Sequence, residues 1–158
     1  MSGSVCVIIP SVDNSTELGI AIDGLLDQTY SDISVVVVGP ESDSGKDVAE
    51  LKGVRFIDDR GSKTRADACN VALEQTESEF VFFTDDDVIV PKNWVSNLVR
   101  WFEREEVSGV GGPNFAPPEE STLWQRVIDV TFCSTIFTTG TNYGKVGGSD
   151  LDLSLIHI

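Results

Sequence analysis

Four short, nearly unbroken apolar runs punctuate the chain, at residues 5–10 (Val-Cys-Val-Ile-Ile-Pro), 33–38, 54–57 and 80–83 (Phe-Val-Phe-Phe). They are rich in β-branched or aromatic side chains, and runs of this kind read as strands buried on both faces in a parallel sheet. The intervening stretches change period. Leu18, Ala21, Ile22, Leu25 and Leu26 recur at helical spacing, and Asn14 with Glu17 forms a capping-box-like start for that helix. A short helix is predicted over 44–51. Another begins near Arg65, with Ala66, Cys69, Asn70 and Leu73 on its stripe. Asn70 is a polar residue on that apolar stripe and so calls for a buried partner, a nearby backbone group being the simplest. After residues 84–90, Pro91 opens a helix with Trp94, Leu98, Trp101 and Phe102 on one side.

Strand and helix thus alternate four times, the rhythm of a three-layer α/β domain with a mostly parallel sheet. Residues 107–112 read as one more strand, ended by Gly111-Gly112-Pro113. Trp124, Val127, Ile128 and Phe132 mark a later amphipathic helix. Its polar side carries Asp129 and few basic residues, so packing on the domain is favoured over lying on a membrane.

The central feature is the run 79–87, where the strand Phe80 to Phe83 ends abruptly in Asp85, Asp86 and Asp87. Ligands of open α/β sheets sit beyond the carboxyl ends of the strands. Three carboxylates there repel one another unless a cation or a set of donors neutralises them. Hard oxygen ligands suit Mg²⁺ or Mn²⁺, held typically by one or two carboxylates plus substrate phosphates. The competing explanation is that one aspartate caps the next helix and the others are solvated. Position favours the first. Asp13, the 39–43 loop, Arg65 and the Asp85 to Asp87 cluster all fall at strand ends or in the loops that follow. One sheet edge would then offer acids for a metal and, in Arg65 beside a helix start, a cation for phosphate. A metal-bound nucleoside diphosphate needs that combination.

Composition narrows the classes. The 158 residues suit one domain. With 26 acidic against 11 basic residues the net charge is −15, which argues against nonspecific nucleic-acid binding. Cys6, Cys69 and Cys133 are far apart in apolar contexts and read as reduced thiols. With no signal-like segment and no apolar stretch of membrane length, a cytoplasmic location is expected.

Val-Ile-Ile-Pro at 7–10, Gln-Thr-Tyr at 28–30, Val-Val-Gly-Pro at 37–40, Arg65 with Asn70, and Phe-Phe-Thr-Asp-Asp-Asp followed by Pro91 occur in an order and spacing that resembles the family 2 glycosyltransferases. The resemblance covers roughly residues 4 to 115. It implies a GT-A (Rossmann-like) fold, a nucleotide-sugar donor, and transfer with inversion to a glycan, lipid-linked or other hydroxyl acceptor. It identifies Asp85 and Asp87 as a DXD motif holding Mg²⁺ or Mn²⁺, with Asp87 the direct ligand. Pro10, Ser11 and Asp13 would line the nucleoside pocket, with Arg65 and Asp86 on the donor.

Two departures stand out. Val38-Gly39 occupies the place where many members carry a nucleoside-contacting aspartate, so Glu41 or Asp43 would have to substitute. Gly147-Gly148-Ser149-Asp150-Leu151-Asp152 resembles the surroundings of the family's catalytic base, but sits too soon after the metal motif and almost at the last residue. Asp150 is therefore the candidate base of a shortened acceptor half. The expected layout is a donor-binding core over 1–115 and an incomplete acceptor half over 116–158. A chain of this layout is expected to bind donor but to transfer sugar slowly or not at all. A longer form could meet a membrane, at its cytoplasmic face, only through a further C-terminal part. The alternative function is a non-catalytic domain binding a nucleotide-sugar or a partner. A receiver-like signalling domain is disfavoured, because Pro10-Ser11-Val12 lacks the acidic pair such a domain needs after its first strand.

Overall fold

A computed structural model describes residues 3–13, 15–111, 122–124 and 127. The chain divides into two compact units, Met1–Val99 and Arg100–Ile158. In the first, β1 (Val5–Pro10), α1 (Ser15–Leu26), β2 (Ile33–Gly39), α2 (Ser44–Lys52), β3 (Arg55–Asp58), α3 (Arg65–Leu73), β4 (Phe80–Phe83) and α4 (Trp94–Val99) follow in order. The four strands form one parallel sheet in the order β3-β2-β1-β4. This is the expected α/β class with a parallel sheet.

The strands are apolar on both faces because helices cover both. Cys6, Ile8, Val36, Val38 and Ile57 form one face and pack with Ala68 and Ala72 of α3. Side chains alternate along a strand, so Val5, Val7, Ile9, Val35 and Val37, equally buried, turn to the other face. There α1 contributes Leu18, Ala21, Ile22 and Leu25, all buried, while Leu26 of the expected stripe is exposed. Truncating a fully buried residue such as Ile8 to alanine would cost about 2–5 kcal/mol.

The structure revises several expectations. On α3 the buried positions are Ala68 and Ala72, and Asn70 is exposed. Two alanines let the helix approach the sheet closely, so the larger residues of the expected stripe turn outward, and Asn70 needs no buried partner. The helix after Pro91 is one short α-helix whose buried residues are Val95 and Val99, followed by a 3₁₀ turn, Arg100–Glu103. Trp94 is half-buried, its ring edge-on to Phe82 at 5.6 Å. β4, expected to be buried on both faces, lies at the edge of the described sheet, with Phe83 37% exposed. An unbroken aromatic run does not by itself distinguish a central strand from an edge one. Residues 107–111 are not a strand. Glycines at 109 and 111 weaken any strand tendency, and no ladder partner for them exists among the described residues. The cap at Asn14, Cys133 and the full helix around Trp124 to Phe132 lie outside the described residues. Among the described residues no helix is long and apolar enough to cross a membrane.

Candidate functional site

The carboxyl ends of the strands open onto a cleft of about 310 Å³. Its floor is Pro10 at the end of β1, Ser11 and Val12 after it, and Val38 and Gly39 at the end of β2. Gly39 is fixed by proximity: a Cβ there would come 2.3 Å from the Ser11 carbonyl oxygen. The Ser11 N–H continues the ladder to Val38 O at 3.0 Å. Backbone therefore fills the space between the two strand ends, leaving no room for a side chain at 39.

One wall comes from the turn after β3 and the first turn of α3: Asp59, Ser62, Lys63, Thr64, Arg65 and Ala68. Thr64 caps α3, its Oγ1 accepting the Asp67 N–H at 3.1 Å. Capping fixes where Arg65, the first helical residue, leaves the backbone. The other wall is Asp85 and Asp86 beyond β4. Arg65 forms an ion pair with Asp85. The Ser11 hydroxyl, 4% exposed, donates to Asp86 Oδ2 at 2.6 Å. Cys69 stands one turn after Arg65, and its burial pushes the thiol up, opposed only in part by the Arg65 guanidinium. It stays neutral beside the ion pair.

The loop bearing the acids is anchored at both ends. The Thr84 N–H donates to Ile8 O at 3.2 Å. At the far end the Gln28 amide donates to Pro91 O (2.7 Å) and Gly24 O (3.0 Å), and its oxygen accepts the Val95 N–H at 3.0 Å. The Thr29 N–H adds a bond to Lys92 O at 2.8 Å. The segment after α1 thus holds the start of α4, and with it the span that carries Asp85 to Asp87.

Of the residues picked out from sequence, Pro10, Ser11, Arg65, Asp85 and Asp86 meet in this cleft. Three others do not line it. Asp13 is exposed, with φ 56°, and its N–H donates to Asp43 Oδ2 at 2.6 Å. Glu41 pairs with Lys46 at 3.0 Å. Asp87 is exposed and has no hydrogen-bond or ion-pair partner among the described residues. Asp43 serves the fold: its Oδ1 caps α2 by accepting the Gly45 N–H at 2.7 Å. Burial pushes this carboxyl up, but the N–H groups of Gly45 and Asp13 and the Ser44 hydroxyl more than offset it, and the net direction is down. Asp150 lies outside the described residues.

Sequence reasoning passed over Asp59, which lines the cleft at 5% exposure. It sits in the polar loop between β3 and α3, beside Arg60 and ahead of Lys63. The available signal was Asp-Arg-Gly directly after a strand, a turn that buries its first side chain.

No group of three or more His, Cys, Asp or Glu side chains among the described residues is arranged to hold a metal by itself. The donor set still suits a shared site: the acids of 85–87 are hard oxygen ligands, and Mg²⁺ or Mn²⁺ commonly takes one or two carboxylates and completes its shell with phosphate and water.

The sequence profile described as glycosyl transferase family 2 matches residues 6–153. Glycosyltransferase GlyG of Streptococcus pneumoniae serotype 4 is 25% identical over 141 residues, covering 84% of this chain and 46% of that protein. Among solved structures, the mannosyltransferase PcManGT of Pyrobaculum calidifontis, in complex with GDP-Man and Mn²⁺, aligns with a TM-score of 0.63 at 22% identity. The alignment covers 76% of this chain and 37% of that one. Glucosyl-3-phosphoglycerate synthase of Mycobacterium tuberculosis, in complex with Mn²⁺, UDP-Glc and phosphoglyceric acid, aligns with a TM-score of 0.59 at 17% identity, over 74% of this chain and 45% of that one. The chain spans less than half the length of each of these three proteins.

Proposed function

The chain belongs to glycosyl transferase family 2, and on that premise we propose that its cleft binds the diphosphate of a nucleotide-sugar donor for transfer to an acceptor hydroxyl. The observation that carries this reading is the meeting, at the strand ends, of Arg65 with Asp85 and of Ser11 with Asp86. A cation beside carboxylates in one cleft is the arrangement a metal diphosphate complements. Mg²⁺ or Mn²⁺ would be held by Asp87 and Asp85, supplying Lewis-acid stabilisation of the departing diphosphate.

Arg65 has two roles in this reading. Without donor it neutralises Asp85; with donor it turns to the diphosphate through charge-assisted hydrogen bonds, leaving Asp85 to the metal. The Arg65–Asp85 pair is about half exposed on both sides, and pairs of that kind contribute about 0–1 kcal/mol, so the exchange costs little. Ser11 keeps Asp86 oriented at the floor. Inversion requires a carboxylate that takes the acceptor proton, and Asp150 is the residue proposed for it.

Calorimetry with nucleoside diphosphate, in Mn²⁺ and then in EDTA, tests donor binding. Tighter binding with metal is expected, and equal affinity in both would remove the metal from the proposal. Transfer or donor hydrolysis tests turnover. Binding without either would favour the non-catalytic reading, whereas transfer lost on Asp150→Asn with donor binding intact would identify the base.

A further inference from the structure

At the β3 edge of the sheet, away from β4, the cleft is closed by a side chain with no place so far in the donor-binding scheme. The Asp59 N–H donates to Gly39 O at 2.9 Å, and the Asp59 carbonyl accepts from Ser62 N (3.1 Å) and Ser62 Oγ (2.6 Å). The turn that follows passes through left-handed Arg60 and Gly61, at φ 57° and 74°. It brings the Gly61 N–H onto Asp59 Oδ1 at 2.9 Å. The backbone and one carboxylate oxygen are thereby fixed. Oδ2 has no hydrogen-bond partner among the described residues, although the residue is only 5% exposed. A buried carboxylate oxygen lacking a donor is costly, and this one belongs to a residue that lines an open cleft.

Resting on the donor-binding reading, the cleft divides by chemistry. Lys63, Arg65 and the acids beyond β4 suit a metal diphosphate. The rest of the lining includes Pro10, Val12, Val38 and the bare backbone of Gly39, a largely apolar surface suited to a flat ring. Asp59 adds a fixed acceptor to that surface. Uracil presents a ring N–H, and guanine a ring N–H beside an amino group. Adenine and cytosine present a bare ring nitrogen at the corresponding position, which a carboxylate repels, so that only the amino group beside it is left to donate. We propose that Asp59 reads the base edge of the donor and selects nucleotides whose base carries a ring N–H donor, uracil or guanine. Glu41 and Asp43, the substitutes suggested by the sequence, are engaged elsewhere, by Lys46 and by the start of α2.

The test is calorimetry of UDP, GDP, CDP and ADP with Mn²⁺ against the wild-type chain and Asp59→Asn. Asparagine keeps an oxygen for Gly61 and places an amide where the second carboxylate oxygen was. Wild type is expected to bind UDP or GDP at least about tenfold tighter than CDP and ADP, as a lost hydrogen bond to a charged group implies. The variant should compress the four to within about threefold. A second measurement on wild type alone methylates the ring nitrogen of whichever base binds best, and should cost about tenfold. Four wild-type affinities within twofold, unchanged selectivity in Asp59→Asn, or full tolerance of the methyl group would each overturn the assignment while leaving donor binding standing. No binding of any diphosphate by wild type would overturn both.

Discussion

β2 and β4 flank β1, and each delivers its chain into an acidic loop at the same edge of the sheet. The loops use their acids in opposite ways. After β2, Asp43 accepts the N–H groups of Gly45 and Asp13, and Glu41 is paired with Lys46. After β4, Asp85 and Asp86 are held by the Arg65 and Ser11 side chains that line the cleft, and Asp87 has no partner among the described residues. Being an acid at a strand end therefore does not make a residue part of a ligand site. The partner's chemistry decides. A backbone N–H at a helix start is fixed and finds no substitute, so Asp43 is committed to the fold. A guanidinium or a hydroxyl on a cleft wall can exchange partners when a ligand arrives.

The sharpest way to break this contrast is Asp87→Asn. If the β4 loop serves a metal, the variant should lose the gain in nucleoside diphosphate affinity that Mn²⁺ gives wild type, a loss of about tenfold or more, equivalent to ~1.4 kcal/mol or more. Its melting temperature should stay near that of wild type, since nothing among the described residues rests on this side chain. A variant that retained the metal-dependent gain would reduce Asp87 to a solvated surface charge.

Next in size is Arg65→Ala. A hydrogen bond to a charged group is worth about 1.5–3 kcal/mol, so diphosphate binding should weaken about tenfold or more while binding of the bare nucleoside barely changes. Equal losses for both ligands would make Arg65 a structural partner of Asp85 and remove the exchange that distinguishes the two loops.

How far these differences could be read from sequence depends on what sets each residue's environment. β1 and β2 were legible because burial on both faces leaves an unbroken apolar run, and the cluster at 85–87 because three carboxylates stand directly after one. The α3 face was misread: Ala68 and Ala72 give too weak a hydrophobic signal to outrank Cys69 and Leu73, though small size is what lets the helix settle on the sheet. Asp43 and Asp59 could not be told apart as cap and cleft residue, because that depends on which backbone N–H groups a turn brings round. Nor could the role of Gln28, whose three partners are Gly24, Pro91 and Val95, two of them far along the chain.

That clamp gives a third test. Gln28→Met keeps the length of the side chain and removes all three hydrogen bonds, each worth about 0.5–1.5 kcal/mol. Stability should fall by about 1.5 kcal/mol or more, and the metal-dependent gain in diphosphate affinity by a few-fold, because the loop bearing Asp87 loses its far anchor. Metal-free binding should hold. Loss of metal-free binding in the same proportion would mean that the clamp supports the whole cleft and not the β4 loop.

The smallest effect concerns Asp43 and is read through pH. Its carboxyl titrates below the ordinary value of 3.8 in the folded chain, since burial raises it but the Gly45 and Asp13 N–H groups and the Ser44 hydroxyl lower it further. A carboxylate depressed on folding stabilises the native state at pH above its unfolded value. That contribution is lost as pH falls through about 4 and on past the lower folded value. The substitution Asp43→Asn mimics the protonated acid: one oxygen remains to accept the Gly45 N–H, and the amide faces the Asp13 N–H donor to donor. Near neutral pH the variant should therefore lose about 1 kcal/mol, the usual scale of a cap interaction. As pH is lowered from about 6 to about 3, across the carboxylate range, the gap between wild type and variant should close, because wild type is converted into the state the variant already represents. Urea unfolding of both proteins across that range measures it. A gap that stayed constant with pH would show that Asp43 is not ionised by its backbone donors, and that the β2 loop holds its acid no more firmly than the β4 loop does.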